Sequence, residues 1–140
     1  MEQRDLNLFR ESLARVTASD DFFDSFYDHF MAQSEEIAGF FHRQDMAQLK
    51  HKLEETLQMV ADTAEGRPGL ELYMEMLGRI HQRLHVERRH FSMWQTALIE
   101  TVAVFDDHYN DQVEAAWFRV IASVIEIVFS ALSQPHQQAS

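Results

Sequence analysis

An all-α fold is the class this sequence predicts, on three observations. Four glycines and two prolines are the only strong helix breakers in 140 residues. The apolar residues recur at the helical period, and the alternation of a half-buried strand is absent. A hydrophobic content of 46% beside 25% charged residues suits one core of ordinary size. About seven helices are therefore expected in a single domain over residues 1–133, with a disordered polar tail over residues 134–140.

The first helix is expected from about Asp5 to Val16, burying Leu6, Phe9, Leu13 and Val16. Thr17 to Asp20 form a polar break, where Ser19 or Asp20 can cap the next helix. That helix carries two aromatic stripes, Phe22, Phe26, Phe30 and Phe23, Tyr27, Met31, so it belongs deep in the core and the Tyr27 hydroxyl needs an internal partner. Ser34 can cap a short turn that delivers Phe40 and Phe41 to a polar corner. Asp45 and Gln48 have the spacing of a capping box, opening a fourth helix with Met46, Leu49, Leu53, Leu57 and Val60 inward. The segment EGRPG, residues 65–69, reads as a loop. Beyond it, Leu70, Tyr73, Leu77, His81 and Leu84 share one face of an amphipathic helix. VERR, residues 86–89, turns into a long helix carrying Phe91, Trp94, Leu98, Val102 and Phe105. After a polar turn, the most apolar helix runs from about Gln112 to Leu132.

Charge and composition narrow the function. A formal charge of -11 argues against nucleic acid or an anionic membrane as partner, because both would repel such a surface. The absence of cysteine removes disulfides, iron-sulfur clusters, thiolate ligation and a cysteine nucleophile. The charged start of the chain has no apolar signal core and no run approaches a membrane span, so a cytoplasmic protein is expected.

His81 asks for a chemical explanation. Turned inward among leucines, its imidazole costs about 1 to 3 kcal/mol unless its nitrogens are satisfied. It is either a core histidine bonded to a backbone carbonyl or a metal ligand. The stretch HQRLHVERRHF from His81 to Phe91 resembles the corner H-x-x-x-G-V-x-P-x-x-Y/W that follows the iron-binding histidine in bacterial members of the globin family. FYDHFMAQSEEIAGFF resembles that family's distal helix and the turn after it, with Tyr27 matching the distal tyrosine and Phe41 the phenylalanine that stacks on the porphyrin. Trp117 matches the last helix, and the resemblance spans about Phe22 to Phe129.

The resemblance implies a globin fold around a pocket for haem b. His81 would bind the iron, with its Nδ1-H donating to a carbonyl one turn earlier, that of Leu77. Phe41, Leu49, Leu53, Leu77 and Val86 would line the cofactor, and Lys52 and His85 would meet its propionates. Tyr27, Leu49 and Leu53 would face a distal site open to oxygen, nitric oxide or carbon monoxide. This sequence departs from the family at His85 and Arg88, which replace the corner glycine and proline, and at Leu49, where many globins hold histidine or glutamine. Phe91 lacks the hydroxyl that links the proximal histidine to a carboxylate in flavohaemoglobins. The pattern is most similar to sensor-type globins, here free of an output domain. Two other functions compete: a nitric-oxide dioxygenase served by a separate reductase, and a cofactor-free helical interaction module. A di-iron bundle finds only His51 and Glu55 at ligand spacing, on a charged face. A second apolar stripe on the last helix, Phe118, Ile121, Ile125, Phe129 and Leu132, predicts a homodimer through the last two helices.

Overall fold

The computed structural model of the chain describes residues 2–130, and their apolar periodicity resolves into seven helices. These are α1 (Gln3–Thr17), α2 (Asp21–Met31), α3 (Glu35–Phe40), α4 (Met46–Glu65), α5 (Leu70–Arg83), α6 (Arg88–Phe105) and α7 (Asp111–Ser130). The expected tail over residues 134–140 and Leu132, the end of the second stripe on the last helix, lie outside the described residues. Among those described, no helix is long and apolar enough to cross a membrane.

Local chemistry sets the ends of the helices. Ser34 caps α3 by accepting from the Ile37 N–H at 3.1 Å. Asp45 caps α4 through the Ala47 N–H at 2.9 Å, without a reciprocal Gln48 bond among the described residues. The EGRPG loop turns at Gly66 and Gly69, both at positive φ, which side chains with a Cβ resist. The α5 helix closes in a Schellman arrangement: His85 N–H donates to Gln82 O and Val86 N–H to His81 O, each at 3.0 Å. That motif requires a left-handed residue, and His85 supplies it at φ 63. Here the family pattern has glycine, so His85 keeps the left-handed conformation that glycine adopts freely and departs in side chain alone.

The core gathers where α1, α2, α6 and α7 meet, around Phe9, Phe22, Phe26, Leu98 and Trp117. Phe9 lies 4.5 Å from the Trp117 ring. The indole N–H of Trp117 donates to Ser12 Oγ at 2.9 Å, and Ser12 donates onward to Asp106 at 2.5 Å. Arg15 grips the same carboxylate with two bonds, of 2.6 and 2.9 Å. Burial raises the Asp106 pKa, but Arg15, Ser12 and the His108 N–H outweigh it and hold the group at about 2. This lock ties α1 to the corner between α6 and α7.

Two inward faces differ from the sequence reading. The α5 helix packs on α7 through Met74 and Gly78, whereas Tyr73 and Leu84 are exposed and Leu70, Leu77 and His81 half-buried. Gly78 permits the approach: a Cβ there would sit 2.5 Å from Val128 O, so any larger residue must push the helices apart. Periodicity identifies the leucine face, but that face is left half-buried or exposed instead of being covered by another helix. On α7, Ile121 (1% exposed) and Ile125 (9%) are covered by the same chain, which removes them from the expected dimer seam. The helix is central, flanked by α1, α4, α5 and α6.

Candidate functional site

His81 ends its helix with its ring fixed from one side. Nδ1 lies 2.7 Å from Leu77 O, the carbonyl one turn earlier that the sequence points to. A carbonyl only accepts, so Nδ1 carries the proton and Nε2 presents its lone pair. Among the described residues Nε2 has no hydrogen-bond partner. The Phe91 ring, 5.3 Å away, orients the imidazole from the next helix and is itself backed by Phe129 at 5.1 Å. Val86, half-buried, follows at the corner, with exposed His85 before it.

A second group lies on α2, α4 and the turn between α3 and α4. Tyr27 is buried with its ring against Phe26 and Phe41, and its hydroxyl donates to Leu49 O at 3.0 Å. Burial pushes the phenol pKa up to about 12, so at neutral pH the group is a proton donor and not an anionic ligand. Leu53 is buried one turn beyond half-buried Leu49, and Phe41 is half-buried. An open cavity of about 520 Å³ runs beside Ala47, Gln48, His51 and Lys52 at the edge of this wall. Lys52 has no ion-pair partner among the described residues, unlike Lys50, which reaches Asp24 at 2.9 Å. Tyr27, Phe41, Leu49 and Leu53 thus form one wall, and Leu77, His81 and Val86 belong to the neighbouring helix and its corner. His51 and Glu55 pair with each other at 3.0 Å on the exposed face.

Sequence reasoning leaves His90 and Arg88 without roles. His90 is buried at the start of α6, where Nδ1 accepts from Glu87 N–H at 2.8 Å and Nε2 reaches Glu36 Oε1 at 2.9 Å. The bonds from His90 and Arg89 hold the Glu36 carboxyl below the usual range. A histidine three residues after an N-cap acidic residue is the available signal, since it has the spacing of a capping box. Arg88 lies over the Phe129 ring, 4.8 Å from its centroid, and reaches Glu126 at 2.6 Å.

Fold and site define a class: an all-α protein in which, among the described residues, the His81 imidazole has an unpartnered Nε2 on the helix next to α4, whose apolar wall carries the buried Tyr27 hydroxyl. The chain belongs to the globin family, whose model matches residues 24–128. It is similar over 91% of its length to a crystal structure from Pseudomonas aeruginosa PAO1, a protein described as structurally highly homologous to a human hemoglobin. That likeness covers 97% of the other chain at 29% identity with a TM-score of 0.86. No curated protein matches the chain.

Proposed function

We propose that this globin holds haem b through His81 and reversibly binds a diatomic gas, oxygen foremost and nitric oxide or carbon monoxide besides. One observation carries the reading: the Leu77 carbonyl fixes the His81 tautomer and leaves Nε2 as an unpartnered lone pair. The carbonyl bond is the usual outer support of a ligating imidazole. Half-buried or exposed apolar residues next to it, Tyr73, Leu77 and Leu84, fit a large apolar disc that this chain does not otherwise supply. Haem would contribute the iron that takes the gas. Phe41, Leu49 and Leu53 would exclude water from the gas side, Val86 would close the corner, and Lys52 and His85 would neutralise the propionates. Tyr27, the buried hydroxyl of that wall, would donate to a gas that carries partial negative charge.

The reading extends to a cytoplasmic, sensor-type globin that pairs with a second copy through α6 and α7. Support for the pair has moved from Ile121 and Ile125 to Phe118, which is 55% exposed beside Ile99 and Ala115 in a groove of about 430 Å³ between these helices. The hydroxyl-free Phe91 ring against His81 supports gas binding over oxidative turnover, since it cannot bridge the imidazole to a carboxylate. The test is direct: the purified protein loaded with haem should show an intense Soret band that shifts with carbon monoxide. Oxygenated protein mixed with nitric oxide and candidate reductases should show no sustained turnover. A colourless protein that takes up no haem would leave only the helical interaction module.

A further inference from the structure

We propose that Phe129 on α7 is a positioning residue for the His81 imidazole, acting on it through Phe91 and held in place by Arg88. Its bearing on gas binding rests on His81 being the haem ligand. The bond from Nδ1 to Leu77 O, at 2.7 Å, and the link to the helix leave the imidazole free to rock about the line between them, which swings Nε2 sideways. A second contact must fix the plane of the ring. Phe91 supplies it at 5.3 Å with the ring planes 67° apart, an edge-to-face contact that selects a direction as well as filling space. Phe91 is itself half-buried, so its ring depends on what stands behind it. Phe129 stands there, at 5.1 Å and 88°.

Phe129 is half-buried in turn, and an arginine steadies it. The Arg88 guanidinium lies 4.8 Å from the Phe129 centroid and donates to Glu126 Oε1 at 2.6 Å. Glu126 precedes Phe129 by three residues, so one side of α7 holds both the ring and the carboxylate that keeps the cation over it. His81, Phe91, Phe129 and Arg88 thus form a row from the imidazole to the surface in which no member is fully buried. Packing of α5 on α7 does not need this row, because Met74 and Gly78 supply it, with Gly78 against Val128. What the row adds lies at the end of α5, where His81 stands. Phe91 and Phe129 carry no polar side-chain atom, so they direct Nε2 and leave the proton on Nδ1 to the Leu77 carbonyl.

Phe129→Leu removes the ring but keeps an apolar side chain, and it tests this in the full-length protein. In the haem-free form, the His81 ring protons, displaced by the Phe91 ring current, should move toward their unfolded-chain positions in NMR spectra. In the haem-loaded ferrous form, the iron–imidazole stretching band in resonance Raman spectra should broaden and shift. Haem transfer to an excess of a haem-free scavenger globin should speed about 2- to 12-fold, the reach of one aromatic pair. Phe129→Tyr, which keeps the ring, should match the wild type in all three. In a Phe91→Leu background Phe129→Leu should add nothing, since the two act in series. Arg88→Gln should shift the band the same way by less. Val113→Ala, a buried change at the other end of α7, should lower stability and leave the band in place. The proposal is overturned if Phe129→Leu leaves the His81 protons and the band unmoved, if Val113→Ala moves the band as far, or if the Phe91 and Phe129 effects add. Should Phe129→Leu fail to fold, Phe129→Met, which fills the same gap without a ring, carries the same expectation. His81 protons that move in haem-free Phe129→Leu, beside a wild-type ferrous spectrum in His81→Gly, would remove the haem reading and uphold the positioning.

Discussion

Replacing Tyr27 by phenylalanine isolates one hydroxyl and gives two readable magnitudes. A free phenol donating to a partly anionic gas contributes about 1.5 to 3 kcal/mol, which alone would slow oxygen release roughly 10- to 100-fold. The Tyr27 hydroxyl is not free: its single proton is given to Leu49 O at 3.0 Å. Giving it to the gas forfeits that bond, about 0.5 to 1.5 kcal/mol, leaving a net of about 1.2 kcal/mol between the middles of the two ranges. Tyr27→Phe should then speed oxygen dissociation about 5- to 13-fold in stopped-flow mixing, with carbon monoxide, the less polar ligand, changing less. The haem-free variant should also lose about 1 kcal/mol in urea unfolding, because α2 and α4 lose a cross-link. An unchanged oxygen rate would refute the donor role. A change above about 100-fold would show that Leu49 does not compete.

Asp106→Asn should cost about 2 kcal/mol or more in urea unfolding, since Arg15 and Ser12 lose their shared carboxylate. With its pKa lowered from 3.8 to about 2, Asp106 adds its full stabilisation above about pH 4 and loses it as pH falls through about 2. Over that acid range the wild type should therefore lose more stability than the Asp106→Asn variant, which has no carboxylate to protonate at this position. His85→Gly should stabilise the haem-free fold by about 0.5 to 1 kcal/mol by relieving φ 63, seen as a higher Tm, yet speed haem loss if His85 meets a propionate. Phe118→Glu should turn a dimer into a monomer in sedimentation at micromolar concentration, and a wild type already monomeric there would remove the proposed pairing.

Helices were legible because their signals are local. Ser34, Asp45 and the EGRPG glycines act within a few residues of themselves, and the stripe Phe22, Phe26, Phe30 reports burial whatever covers it. The bond from His81 to Leu77 was legible too, since both residues lie on the same helix one turn apart. What a stripe faces is a tertiary fact. The leucine side of α5 and the second stripe of α7 look alike in sequence, but the first is left half-buried or exposed and the second is largely covered by the same chain. Pairs distant in sequence left no trace at all. Arg15 and Asp106 meet across 91 positions and Glu36 and His90 across 54, and the Tyr27 acceptor is a backbone oxygen that no residue type announces.

The ferrous spectrum of His81→Gly tests most directly whether His81 supplies the protein's bond to haem iron. This variant should lose most of its haem, and added imidazole should restore the wild-type five-coordinate band, while His85→Gly and His90→Gln keep the iron ligand. An unaltered ferrous spectrum in His81→Gly without imidazole would contradict the assignment.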